Sequence, residues 1–329
     1  MRLTSRWGVL LAAVTLVVLA LATAGCGSSD STTEESVAPS SAGTAAATWT
    51  EADLAAIEAD PALMALLPEA IKSAGEIKAA ADIPYPPWEY FDPPTSKDPA
   101  GFDYDISQAI GKKIGITVPF VQTPFDSIIL SIKGGKNDMI LSAMYDNAER
   151  QAEGISFVDY AYDGSAILVK KGNPEGITNL DSLSGKTVAA MTGGTQEMLL
   201  RSLNKELKAA GKPEVTVLAP QGQPPCLLAV SGGRAAAYLT DNSVAAFAAQ
   251  TTNDGNTFEV IRDPAAPQGY EPQIMGIGMA AENTGLIQAV QQALQALIDE
   301  GTYQRIVDKY GLLPVESAEV NMGGADATQ

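Results

Sequence analysis

"FDSIILSIKGGKNDMILSAMYDNAERQ", Phe125–Gln151, holds the unit from which the rest of the chain is built. Phe125, Ile128, Ile129 and Ile132 recur at the spacing of one helix face as far as Lys133. Two glycines then interrupt the run, and Asp138–Leu141 is an apolar stretch of strand length. Upstream, the same pattern gives a strand near Ile77–Ala81, a helix over Asp103–Lys113 with Ile106, Ala109 and Ile110 inward, and a strand over Ile116–Val121. Downstream it gives strands over Thr187–Met191, Val215–Leu218, Ala235–Leu239 and Thr257–Ile261. Helices starting at Thr195, at Pro225 and at Asp241 lie between them. Short strands alternating with amphipathic helices predict an α/β architecture with a largely parallel sheet, here in two similar lobes.

The stretch ends in an arginine that raises a question. Arg150 could form a surface ion pair with Asp146 or Glu149, worth only about 0 to 1 kcal/mol. Alternatively it grips a carboxylate ligand.

The ends of the chain speak to compartment. Met1–Arg6 is basic, Trp7–Ala24 carries no charge, and Gly25-Cys26-Gly27 follows, which predicts a secretory signal over 1–25. "ATAGC" resembles a lipobox, with Thr23 where Leu is more usual, so Cys26 is expected to be acylated and to anchor the chain to the membrane. An ordinary signal peptide or a short membrane helix is the alternative. Residues 26–49, rich in Ser, Thr, Ala and Gly, read as a flexible tether. Residues 50–75 read as a helical extension, with Leu54, Ile57, Leu63, Leu66, Leu67 and Ile71 on one face and breaks at Pro61 and Pro68. At the other end, Leu286, Val290, Leu294, Leu297 and Ile298 mark a helix closed by Gly301. A shorter helix then ends at Gly311, and 317–329 is expected to lack order.

Composition excludes several chemistries. With 21 basic and 39 acidic residues the net charge is −18, so nucleic acid is not an expected partner. There is no histidine, which removes Ser-His and Cys-His nucleophile chemistry. The chain holds two cysteines, so with Cys26 acylated Cys226 has no disulfide partner and reads as a small buried apolar residue. "TGGTQE" lacks the lysine of a phosphate-binding loop, and no cofactor is expected.

Seven segments occur in an order that resembles the extracytoplasmic solute-binding proteins of ABC importers, polar amino-acid family. They are "ADIPYPPWEYF", "GFDYDISQAIGKKIG", the opening stretch, "ISFVDYAY", "LDSLSGKTVAAMTGGTQE", "GRAAAYLTDN" and "DEGTYQRIVDKYG". The resemblance covers Glu76–Leu313 and implies a periplasmic-binding-protein-like α/β fold: two lobes, a two-strand hinge and a ligand cleft between them. Lobe 1 would comprise 76–168 and 273–316 and lobe 2 169–272, with crossings near Leu168–Gly172 and Ile261–Gln273. It implies a monomeric, non-enzymatic receptor on the outer face of the cell membrane, binding an amino acid and delivering it to an importer permease.

The resemblance also assigns roles. Arg150 would grip the ligand α-carboxylate, Thr195 would add hydroxyl and N–H donors to it, and Asp241 would take the ammonium. Phe125 and Tyr85 would wall the carbon skeleton, and Asp82 and Ser142 would stand near the side chain. Three positions depart from the family pattern: Tyr145 stands where Ser or Thr is common, Asn147 where Thr is, and Ala143 lacks a side-chain donor found in some relatives. Tyr145 would either narrow the cleft or bring a phenol to it. Some proteins of this fold are dehydratases of cyclohexadienyl acids, and for such an enzyme Asp82 or Glu89 could supply the general acid. A ligand-presenting sensor module is a further alternative.

Overall fold

The computed structural model describes residues 49–324. The signal sequence, Cys26 and most of the tether lie outside the described residues. Trp49, placed at the end of the tether by its sequence, is buried. It packs with Leu63, Leu67 and Ile71 of the helical extension, against the core that also contains Leu286, Val290 and Leu294. The extension therefore belongs to the first lobe's core. Pro61 opens the helix Pro61–Leu66 at its first turn and Pro68 precedes the helix Glu69–Ala74, both positions where the missing N–H costs nothing.

Ala79–Ala81 is a buried strand whose small side chains let helices cover both faces. It pairs in parallel with Phe120–Gln122 on one side and Met139–Ile140 on the other. The helix Phe102–Ile114 buries Phe102, Ile106, Ala109 and Ile110, and ends at Gly115 in the left-handed region. Phe125–Ser127 forms a single 3-10 turn leading into the helix Ile128–Lys133. In the second lobe Thr187–Ala189 lies between Thr216–Leu218 and Ala237–Asp241, parallel to both. The helices Thr195–Ala209, Gln223–Ser231 and Asn242–Thr251 enclose it. Separate apolar clusters around Leu200 and around Tyr238 fill that lobe.

One strand joins the lobes. Ile155–Lys170 runs for 16 residues. Its first part pairs antiparallel with Tyr270–Ala280, and its last part with Ala237–Asp241 and Phe258–Val260. The exchange of partners occurs at Ser165, which is opposite both Tyr270 and Asp241. The crossing therefore lies ahead of the expected Leu168–Gly172, because no turn residue other than Gly164 interrupts the buried run. On the return strand the register shifts between Tyr270 and Gln273, next to Glu271 at φ 45. A Cβ on Gly164 would stand 2.5 Å from the Gln268 carbonyl oxygen, so the two crossing segments touch backbone to backbone.

The C-terminal helices Thr284–Asp299 and Thr302–Tyr310 turn about Gly301, at φ 76, and cover the first lobe. The stretch after them, expected to lack order, is ordered as far as residue 324: Val320 and Asn321 pair with Val158 and Phe157, and the Asp159 N–H donates to Glu319 O. Its polar composition conceals backbone pairing along an edge of the long strand. No helix among the described residues is long and apolar enough to cross a membrane.

Candidate functional site

Arg150 is the third residue of the short helix Ala148–Ala152, whose Asn147 cap accepts from the Arg150 N–H at 2.9 Å. Its side chain is 5 % exposed. Nη1 donates to Tyr145 O at 2.7 Å and Nη2 to Gly193 O at 3.4 Å, and the guanidinium lies 5.6 Å from the centroid of the Phe125 ring. It joins none of the ion pairs among the described residues; Asp146 accepts instead from Gln151 at 2.6 Å. The surface ion-pair reading is thereby set aside. Burial draws the guanidinium pKa down to about 10, opposed by the charge of Asp241. A guanidinium has five donors, and two are used here on carbonyls.

Gly193, which touches Arg150, comes from the second lobe. Thr195 begins the helix Thr195–Ala209, but the cap position belongs to Gly194. The Thr195 hydroxyl is thus free of capping duty; it is buried and has no hydrogen-bond partner among the described residues. An unpartnered hydroxyl at a helix N-terminus, close to a buried guanidinium, suits an anionic oxygen.

Asp241 closes the strand Ala237–Asp241 and holds the N-cap position of the helix Asn242–Thr251, yet makes no capping bond. The N–H of Ser243 goes to Asp163 Oδ2 instead, at 3.1 Å. The Asp241 carboxylate is thereby left for the cleft. Oδ2 accepts from the Tyr85 hydroxyl at 2.7 Å, and Oδ1 accepts from the Tyr145 hydroxyl at 2.8 Å and from Gln196 Nε2 at 2.6 Å. Tyr85 and Tyr145 belong to the first lobe, Gln196 and Asp241 to the second. Burial, reinforced by the charge of Asp163, raises the Asp241 pKa to about 7 against the lowering effect of these three donors. Gln196 was not among the residues singled out by sequence; it follows Thr195 on the first helical turn, and nothing in its type marks it.

Asp82 follows the strand Ala79–Ala81. Its Oδ1 accepts from Gln122 Nε2 at 3.0 Å and its Oδ2 from the Phe125 N–H at 3.2 Å. From the second lobe Gly222 approaches it, so that a Cβ there would be 4.0 Å from Oδ2. Phe125 thus links the two charged ends of the cleft, with its amide on Asp82 and its ring on Arg150. Ser142 lies behind this wall: it is 2 % exposed, accepts from the Asp82 N–H at 3.0 Å and donates to Glu89 Oε1 at 2.7 Å. Glu89, considered as a general acid, is wholly buried and accepts from Ser142. Beside Arg150 a cavity of about 320 Å³ opens between Phe125, Asp126 and Ile129 of one lobe and Gly193 and Met198 of the other.

Among the described residues no group of His, Cys, Asp and Glu is placed to hold a metal ion. Cys226 is buried, and burial pushes its thiol up to about 12, which suits an inert packing residue. The arrangement that remains is a cation and an unpartnered hydroxyl from facing lobes, a carboxylate ringed by phenols and joined to the cation through Tyr145, and the Phe125 ring between the guanidinium and Asp82.

Known proteins share this chain's sequence and fold. The lysine/arginine/ornithine-binding periplasmic protein of Escherichia coli is 30% identical over 236 residues, spanning 71% of this chain and 86% of that protein. The arginine-binding protein ArgT of Corynebacterium glutamicum is 29% identical over 255 residues, spanning 77% of this chain and 79% of its own. Among solved structures, an ancestral arginine-binding protein bound to glutamine superposes with a TM-score of 0.61 at 29% identity, covering 72% of this chain and 97% of that one. The ancestral amino acid-binding protein AncCDT-1, a precursor of cyclohexadienyl dehydratase, gives a TM-score of 0.62 at 26% identity, covering 74% and 98%. The model of the bacterial extracellular solute-binding proteins, family 3, matches residues 77–312, and the chain belongs to that family.

Proposed function

We propose that the cleft captures a free α-amino acid as its zwitterion and that the protein presents it, from a lipid anchor on Cys26, to the permease of an ABC importer. The observation that carries this reading is the pair of opposite charges: Arg150, with the unpartnered Thr195 hydroxyl of the facing lobe, and Asp241, joined to it through Tyr145, whose carbonyl accepts from Arg150 and whose hydroxyl donates to Asp241. A carboxylate on Arg150 would gain charge-assisted hydrogen bonds of about 1.5 to 3 kcal/mol each. An ammonium on Asp241 would neutralise a buried carboxylate that only neutral donors satisfy in the free protein. Asp82, which accepts from an amide and a backbone N–H, suits a basic ligand side chain, in keeping with the arginine and lysine/arginine/ornithine named for the relatives. Of the two acids considered for a dehydratase Glu89 is wholly buried, and the presence of both Arg150 and Asp241 favours capture of a carboxylate and an ammonium over acid catalysis by Asp82.

A thermal-shift screen of the purified protein against the amino acids tests this. Ligand at about 100 times its dissociation constant should add roughly 2.7 kcal/mol to the folding free energy, seen as a rise in Tm. A rise with arginine, lysine or ornithine supports the reading, and silence across all amino acids would overturn it.

A further inference from the structure

Behind the cleft lies a pair of acids that ligand capture does not use. Glu89 and Asp103 are both fully buried; the Asp103 N–H donates to Trp88 O at 2.9 Å, and the two side chains hold adjacent residues of one turn, Ser142 and Ala143. Their sequence neighbours Trp88 and Phe102 pack edge-to-face and stacked with Tyr160. Asp103 is rich in donors: Oδ1 accepts from the Tyr160 hydroxyl at 2.8 Å and Oδ2 from the Ala143 N–H at 2.9 Å. Glu89 is poor in them, since Oε1 accepts from Ser142 and Oε2 finds no donor anywhere among the described residues. Two carboxylates cannot both stay ionised in such a place, so one proton must be shared. The donor-rich member keeps its charge, and the orphaned Oε2 is where the proton is needed.

We propose that Glu89 carries the single proton of a Glu89–Asp103 pair, and that this pair is the positioning element holding the Ser142–Ala143 turn beneath the ligand cleft. Each acid grips one residue of that turn, Glu89 the Ser142 hydroxyl and Asp103 the Ala143 amide. Ala143 is held at φ 46, a left-handed conformation that non-glycine residues seldom adopt without an outside restraint. Ser142 in turn receives the Asp82 N–H, and Tyr145, two residues beyond Ala143, reaches Asp241. Asp82 is the other charge near Glu89, and it too favours the protonated form. Burial acts first in holding Glu89 well above the ordinary carboxyl range, and the charge of Asp103 adds to it.

The test compares Glu89→Gln with Asp103→Asn in the purified protein. A glutamine amide reproduces a protonated carboxyl: its oxygen accepts from Ser142 and its NH2 donates to Asp103. An asparagine at 103 removes the charge of the pair and must turn its NH2 either toward the Ala143 N–H, a donor, or toward the Tyr160 hydroxyl, which then has to give up its own donation and accept. Glu89→Gln should keep amino-acid affinity within about threefold and remove one protonated-carboxyl C=O band from the infrared spectrum at neutral pH, whereas Asp103→Asn should weaken binding by tenfold or more. Loss of affinity in Glu89→Gln equal to that in Asp103→Asn, or a difference spectrum without that band, would overturn the proposal. The affinity readout rests on the amino-acid reading above; the infrared band and the melting temperature of Glu89→Gln decide without any ligand, also where Asp103→Asn does not fold.

Discussion

The Tyr145 hydroxyl donates to Asp241 Oδ1 at 2.8 Å, placing a first-lobe phenol on the second-lobe carboxylate that faces the cleft. Tyr85 does the same to the other oxygen. In the free protein these phenols and Gln196 satisfy a carboxylate that would otherwise be buried without donors. A ligand ammonium must share Asp241 with them or displace one. Tyr145→Ser, which restores the side chain common in the family, should therefore act in two directions. It should destabilise the free protein by about 1.5 to 3 kcal/mol through the lost bond to a charged group. It should also tighten amino-acid binding by opening space at the ammonium position. Tm without ligand and calorimetric affinity measure the two effects, and a variant that melts like the parent would deny the phenol its role.

Arg150→Ala should weaken amino-acid binding by about 3 kcal/mol or more, since it leaves a ligand carboxylate desolvated without its partner. Arg150→Lys should recover only part of that, because an ammonium lacks the planar fork that takes two oxygens at once. Circular dichroism should show both variants folded, as the guanidinium's own bonds in the free protein go to two carbonyls at the cleft and not to the apolar core. Affinity unchanged in Arg150→Ala would remove this residue from the site.

The pH dependence follows from Asp241, raised to about 7 by burial and by Asp163, with Asp103 raised to about 6 and Asp159 to about 7, burial again acting first. A carboxyl whose folded pKa exceeds its unfolded value, near 3.9, favours folding when protonated. That stability is complete below the unfolded value and is lost as pH rises through about 6 to 7. The ligand-free protein should accordingly melt at a higher temperature at pH 5 than at pH 8. Binding should run the other way, because an ammonium needs Asp241 ionised: affinity should fall from pH 8 to pH 5, with proton release detectable as a buffer-dependent binding enthalpy. Asp241→Asn should abolish the release, and an enthalpy independent of buffer in the parent would contradict the assignment.

The alternation of strand and helix was legible because its periods are local: Ile106, Ala109 and Ile110 face inward on the helix Phe102–Ile114 as their spacing requires. Arg150, Thr195 and Asp241 were singled out only through the resemblance, since an arginine after two acids and a Thr or Asp at a helix start have ordinary local uses. The structure then gives a physical reason for two of them, with Gly194 and Asp163 taking over the capping positions and bonds. The long strand Ile155–Lys170 was missed as one element because its buried run spans two lobes and shows no alternation. Gln196 and the Glu89–Asp103 pair were not legible, because burial of a polar side chain depends on partners far away in sequence. The strand Val320–Asn321 was hidden for a related reason: it is held by backbone pairing to Phe157 and Val158, while its one apolar side chain, Val320, stays exposed.

The crossing between lobes offers a last test, away from the ligand. Gly164 lies against Gly269, with a Cβ at Gly164 reaching within 2.5 Å of Gln268 O and one at Gly269 within 2.8 Å of Ser165 O. Both obstacles are backbone, which cannot swing aside as a side chain tip would. Gly164 sits between Asp163, whose carboxylate caps the helix after Asp241, and Ser165, where the long strand exchanges partners. Gly164→Ala must therefore push the two crossing segments apart and carry Asp163 with them. Overpacking of this kind costs about 1 to 3 kcal/mol, so Tm should fall accordingly. Because the displaced segment holds the frame of Asp241, amide exchange should also quicken at Ser243 and amino-acid affinity should drop, although residue 164 makes no contact in the Arg150 and Thr195 part of the cleft. A Gly164→Ala protein with parental Tm and parental exchange at Ser243 would show that the crossing segments accommodate a side chain and that their close approach does not brace the site.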